Sequence, residues 1–306
     1  MVDFGLGLLH GPPPGKTDQF LADLDKTLPQ LKGTFRSIWM TDHFQWEGQP
    51  TFEAWTVLSY LAARYPEFDV GPMVLGQNYR NPALLALMAA SLQALSGGRF
   101  IMGIGAGWKE DEYLAYDYPY PSPRVRVQQL EETLIILKKM WEEPGPVSYQ
   151  GTHYRIKDAW CEPKPETKIP ILVGGGGYTT MKHAARYADI WNYPDCPLGP
   201  YVERQDLLQR HLDDIGRDPA TLRCSWFGRV AIGRTEDEAV ARGLSRENKW
   251  TRDKAFVGRP QDIAEQMNAF VERGCDYFII DIIGAPDETV LGMFTEEVVP
   301  KLVTKT

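Results

Sequence analysis

The feature that most restricts the fold of this 306-residue chain is a rhythm: short runs rich in Val, Ile and Phe alternate with stretches of helical periodicity. Strands separated by helix-length crossovers lie parallel in a sheet. The strands are expected at residues 4–9, 37–41, 69–75, 100–104, 170–173, 189–192, 225–232 and 277–283. Eight such βα units close a ring, so the expected fold is α/β, a (β/α)8 TIM barrel with insertions, one domain over residues 1–306. Helix starts are marked by Thr17, by Asn81 with Pro82 and by Thr235, and Gly97 with Gly98 ends the third helix. Three irregular stretches interrupt the rhythm. One follows strand four (WKEDEYLAYDYPYPSPR), one lies at 141–170 with a hairpin turning at Gln150 and Gly151, and one lies at 247–259. Long connections in a compact barrel are functional loops or interfaces, and those after strand four belong near a substrate mouth. Glu131, Glu132, Lys138 and Lys139 read as a solvated helix face with helix-spaced ion pairs.

Composition narrows the partners. The net charge of −8 with no basic stripe argues against nucleic acid and anionic membranes, which leaves a small-molecule substrate. Cys161, Cys196, Cys224 and Cys275 are far apart, with no CxxC pair and no histidine at ligand spacing, so no metal and no disulfide framework are expected. That usage suits the cytoplasm. The N-terminus lacks a basic region before its short apolar run, and the longest apolar run, 83–95, is too short for a bilayer.

In a parallel barrel the C-terminal strand ends share one open face, where polar side chains carry chemistry. Asp42 and His43 stand at such an end in SIWMTDHFQW, residues 37–46, with Trp46 beyond. Histidine moves protons near neutral pH, and a neighbouring carboxylate can orient it, although adjacent strand residues point oppositely. As a bland alternative, Asp42 caps a turn and His43 is a half-buried histidine. GGGGY, Gly174 to Tyr178, follows a strand and opens a helix near Thr179, so Gly174, Gly175, Gly176, Gly177 and Thr179 would present N–H and hydroxyl donors to a phosphate. The run GIGAG at 103–107 fails as a dinucleotide fingerprint because Trp108 stands where its last glycine belongs; Gly105 would give room for a flat ring or only for a turn. Asn78, Tyr79 and Arg80 fall at the rim where a ligand could be contacted, though each alone reads as a surface group, and Asp281, an acid inside an apolar strand, is expected to be paired.

Nearly the whole chain resembles the luciferase-like flavin and deazaflavin oxidoreductases, through WMTDHF, GPMVLGQNYRNPALLA, LSGGRFIMGIGAGWKEDEYLAYDYPYPS and IPILVGGGGYTTMKHAARYADIWN in order. The DHF run is most similar to the branch that uses coenzyme F420, a deazaflavin that carries a hydride at C5 of its ring; FMN is the alternative cofactor. The resemblance implies Asp42 and His43 beside the reactive ring and Trp46 and Trp108 on the substrate side. It also implies a non-proline cis peptide at Met73 and Val74 under the ring, and the cofactor phosphate on Gly174 to Thr179. Relatives of this kind are often dimers, so a homodimer is an expectation. One departure stands out: the sugar-phosphate dehydrogenases of the branch carry a glutamate after the strand-four glycines, where this chain has Ala106. The rivals are an FMN-dependent monooxygenase, a barrel hydrolase with Asp42 and Asp281 as paired acids, and a carrier that binds cofactor without turnover.

Overall fold

A computed structural model describes residues 2–9, 11–12, 15–46, 48–243 and 254–303. In chain order these fold as β1 (Asp3–Leu8), α1 (Thr17–Leu31), β2 (Phe35–Met40), α2 (Ala54–Arg64), β3 (Asp69–Pro72), β4 (Leu75–Gly76), α3 (Pro82–Leu95), β5 (Met102–Gly105) and α4 (Glu110–Ala115). Then come α5 (Pro123–Glu142), β6 (Val147–Gln150), β7 (Arg155–Ala159), β8 (Ile171–Gly174), α6 (Tyr178–Tyr187), β9 (Ile190–Pro194) and α7 (Leu198–Asp214). The last are β10 (Arg223–Ile232), α8 (Glu236–Gly243), β11 (Ala255–Gly258), α9 (Pro260–Glu272), β12 (Cys275–Ile282) and α10 (Glu288–Gly292).

The main sheet runs β3-β2-β1-β12-β10-β9-β8-β5-β4, with β11 added on β10. Its strand pairs are parallel. Its ends meet where Val70 bridges to Phe100, the N–H of Val70 donating to Arg99 O at 2.8 Å and that of Ile101 to Val70 O at 2.9 Å. The result is a nearly closed parallel barrel. Side chains alternate across each strand, so one set fills the ring: Trp39, Met73, Ile101, Leu172, Ile190, Phe227, Tyr277 and Ile279 pack together. Trp39 fits there because Gly5 and Gly71 flank it; a Cβ on either would stand 2.6 Å from the indole. Its Nε1 donates to Ser37 Oγ at 2.7 Å, and Ser37 Oγ lies 2.5 Å from the Tyr277 hydroxyl, so the polar atoms inside the ring satisfy one another. The opposite strand faces meet the helices in a second, larger core.

Several sequence expectations change. The third strand is split into β3 and β4 by a cis peptide between Met73 and Val74. Thr17 is the first helical residue of α1, and Lys16 before it makes no side-chain cap bond. Asn81 does cap α3, accepting from Ala83 N and Leu84 N, and Thr235 Oγ1 accepts from Glu238 N. The hairpin of β6 and β7 forms, but Gln150 still pairs with Arg155, which places the turn at residues 151–154. Glu132 explains this: far from being solvated, its carboxylate accepts the N–H groups of Thr152, His153 and Tyr154. The ion pairs Lys138–Glu142 and Lys139–Glu143 are helix-spaced as expected. Of the stretch 247–259, residues 247–253 lie outside the described residues, while Ala255–Gly258 is strand β11 rather than irregular chain. Among the described residues no helix is long and apolar enough to cross a membrane.

Candidate active site

Because the barrel strands run parallel, the segments after β2, β3, β5, β8, β9 and β10 share one mouth. Asp42 and His43 leave β2 there and turn apart. Asp42 is buried, its side chain 1% exposed. Its carboxylate accepts from Arg80 Nη1 and Nη2, each at 3.0 Å, and from Gly76 N at 3.1 Å. Arg80 also reaches Glu53 Oε1 at 2.5 Å. Burial works against the guanidinium charge, but Asp42 and Glu53 outweigh it and hold Arg80 more firmly charged than usual. Arg80 is thus drawn inward onto Asp42, and Tyr79 is buried and lines a small cavity with Asp42, His43 and Glu112, so neither is the surface group expected.

His43 faces a different acid. Its Nδ1 lies 3.0 Å from Glu112 Oε1 and 3.1 Å from Oε2. Glu112 comes from α4 and is fully buried. It also accepts from Phe44 N at 3.2 Å, Gln45 N at 3.3 Å and the Tyr79 hydroxyl at 3.1 Å. Burial, with Tyr113 and Glu112 nearby, pushes the Tyr79 phenol well up, so it stays a donor. Surrounded by donors, the carboxylate acts as acceptor toward Nδ1, which places the proton of that ring nitrogen on the Glu112 side and leaves Nε2 outside this pair. Nothing in the sequence singles out Glu112. It lies in the acidic run KEDE, where no spacing distinguishes it from Glu110 or Asp111.

His43, Trp46 and Trp108 form an aromatic cluster, with His43–Trp46 ring centroids 4.8 Å apart and His43–Trp108 5.8 Å apart. They border a cavity of about 220 Å³ whose lining continues through Thr41 and Met73 to Asn192, Asp195, Phe227 and Arg229. In ring order β9 lies halfway round from β2, so the cavity crosses the mouth from His43 to Asp195. Arg229 and Asp281 are register partners on β10 and β12 and form an ion pair at 3.3 Å, which provides the expected partner for Asp281. Asp42 and Asp281 each have their own arginine. That leaves neither as one of two free acids for glycoside cleavage.

The glycine turn meets the cis peptide at this mouth. A Cβ on Gly174 would stand 3.1 Å from Val74, and one on Gly105 2.9 Å from it, so both glycines make room for the Val74 side chain. Gly176 packs against the Tyr193 ring, which a Cβ would approach to 2.5 Å, and Gly175 has φ 127°. Helix α6 begins at Tyr178, one residue earlier than expected, and Gly177 before it supplies no side-chain cap. The first N–H groups of α6 therefore receive no cap from that residue. Tyr178 itself turns away to pack on His211, with ring centroids 4.7 Å apart.

Comparison with known proteins sets this geometry in context. Residues 32–246 match the model of the luciferase-like monooxygenase family. The chain is 36% identical to an F420-dependent glucose-6-phosphate dehydrogenase of Kineococcus radiotolerans, an alignment covering 87% of this chain and 88% of that protein. Among solved structures, an F420-dependent secondary alcohol dehydrogenase in complex with an F420-acetone adduct superposes with a TM-score of 0.83 at 18% identity, covering 99% of both chains. A monooxygenase from Streptomyces bottropensis also superposes with a TM-score of 0.83, at 20% identity, over 97% of this chain and 99% of that one. The fold is thus common to deazaflavin enzymes and monooxygenases.

Proposed function

The chain belongs to the luciferase-like monooxygenase family, and within it we propose an oxidoreductase that uses coenzyme F420 to transfer a hydride to or from a small organic substrate. The observation that carries this reading is His43, held on Glu112 and placed beside Trp46 at the mouth that also holds the Met73–Val74 cis peptide. The residues present fit the coenzyme. The Met73–Val74 backbone offers a support for a flat ring, Gly105 and Gly174 keep that support close to β5 and β8, and the uncapped start of α6 from Gly174 to Thr179 suits a phosphate. When bound, the deazaflavin supplies a ring carbon that takes or gives up a hydride.

The chain's own residues do the rest. His43 Nε2 carries the proton of the reacting oxygen, as base for an alcohol or acid for a ketone. Glu112 keeps the ring of His43 at a fixed angle. Trp46 and Trp108 cover the substrate and exclude water from it. Asp42 acts by holding Arg80 and the backbone at Gly76, two residues beyond Val74, and so positions the ring support. Sugar-phosphate oxidation is not carried over from the relatives, because Ala106 stands where the branch has its glutamate.

The test is turnover with reduced or oxidised F420 across small ketones and alcohols. His43→Ala should lower kcat by roughly 10²- to 10⁴-fold, the usual contribution of a general acid or base. Full turnover in that variant would overturn the assignment. Oxygen consumption with FMN and substrate hydroxylation would favour the monooxygenase rival, whose fold is equally close.

A further inference from the structure

Lys109 breaks the local rules of the helix it precedes. It occupies the N-cap position of α4, where it makes no side-chain cap bond, and the acids Glu110, Asp111 and Glu112 follow in the first turn. The positive end of a helix disfavours a cation and favours a short acceptor such as Ser or Asp, so a lysine there gains α4 nothing. The side chain is also withdrawn from water, with 9% of it exposed. Burying an ammonium is costly unless it is paired. Lys109 Nζ is paired with the Asp111 carboxylate, and it stands over the Trp46 ring, 5.3 Å from its centroid. At that distance the face of an indole attracts a cation, and more strongly where water is excluded.

Trp46 belongs to the connection between β2 and α2, and Lys109 to that between β5 and α4. Asp111 ties the two connections together a second time, since its Oδ2 accepts from Gln45 Nε2 at 3.2 Å as well as from Lys109. The backbone of Trp46 is set by its own turn, where its carbonyl accepts from Gln49 N at 2.7 Å. The indole packs on His43 and on Trp108 with an interplanar angle of 68° in each pair, and all three rings border the mouth cavity. A tilt of the Trp46 ring therefore moves the wall beside His43, where a small misplacement of a substrate is costly.

We propose that Lys109 is a positioning residue: its ammonium, anchored by Asp111, holds the Trp46 indole at a fixed angle in the cavity wall and so sets the fit of the substrate. It acts through Trp46 and not on the reacting atoms. The inference rests on the reading of this mouth as the site of hydride transfer, and it adds to that site a residue outside the His43–Glu112 pair.

Two substitutions separate charge from packing: Lys109→Met keeps the length of the stem and removes the ammonium, and Lys109→Arg keeps a cation. Each is made alone and together with Trp46→Leu, so that the emission of Trp46 is read as a difference between two proteins. Without the cation that restrains it, the indole should be quenched by acrylamide about twofold more strongly, and Lys109→Arg should restore most of the protection. With cyclohexanone and reduced F420, Lys109→Met should raise KM about fivefold and leave kcat within about twofold, the size of one cation–π contact. Together with Trp46→Leu, the same substitution should change KM by less than about twofold, because the two side chains act as a unit. Unchanged quenching in Lys109→Met, or an equal rise in KM with and without Trp46, would overturn the proposal. A fall in kcat with a shifted pH profile and KM unchanged would also overturn it, and would assign the ammonium to His43. If quenching depends on Lys109 while reduced F420 leaves cyclohexanone and other small ketones unreduced, the hold on Trp46 stands and the hydride-transfer reading fails.

Discussion

Glu112 and Asp195 lie at the two ends of the mouth, and each makes a residue-scale expectation. Glu112 acts through His43, so Glu112→Gln should lower kcat by about 10²-fold with KM little changed, and Glu112→Asp should recover part of the loss. A fall in thermal stability with kcat intact would instead mark Glu112 as purely structural. Burial lifts the Asp195 carboxyl to about 7, with Arg229 and Lys254 working against the rise. An unfolded aspartate titrates at roughly 3.9, so between those pH values the folded chain holds a proton that the unfolded chain has released. Stability contributed at this position therefore falls as pH rises from about 4 to about 7 and is level above that window. Asp195→Asn removes the penalty, and its Tm should exceed the parent's by on the order of 3 °C at pH 8, with the gap closing near pH 4. An equal gap at both pH values would refute this. His43 was legible in the sequence because its position at a strand end says where it points. Glu112 was not, because its role depends on how α4 folds back over β2, and Arg80 was misread because the buried acid that draws it inward is 38 positions away.

At the scale of elements, the strands and helices were legible where one periodicity runs unbroken, as in Arg223–Ile232 and Pro82–Leu95. They were less so where a tertiary contact sets local form. The run Asp69–Pro72 continues in composition through Leu75, and only the cis bond at Met73–Val74 ends it, with Gly105 and Gly174 clearing the space that Val74 enters. Strand β11 was missed because its few residues follow a stretch with no clear period, and its pairing with β10 is what makes it a strand. The turn between β6 and β7 was misplaced for a similar reason: its shape is set by Glu132 on α5. Glu132→Ala leaves three backbone N–H groups without their acceptor and should cost about 2 kcal/mol, read as a lower urea midpoint with an unchanged m-value. A change within about 0.5 kcal/mol would show that water replaces the carboxylate without loss.

Over the whole molecule, the βα rhythm was enough to give a parallel barrel, because few arrangements let so many crossovers return to one end of a sheet. The same rhythm brought the Asp42-His43 pair and the four-glycine turn to one mouth, since both follow the C-terminal ends of parallel strands. What it left open is chemistry at the far side of that mouth, where Asp195 and Arg229 meet only after β9 and β10 are placed side by side. The barrel itself does not choose between coenzymes, since deazaflavin enzymes and monooxygenases superpose on it equally well. The decisive measurement is a titration of the purified protein with F420 and, separately, with FMN, followed by ring fluorescence. Saturable binding of F420, weakened at least about tenfold by Gly176→Ala through its clash with Tyr193, is the expected result. Tight binding of FMN with none of F420 would contradict it.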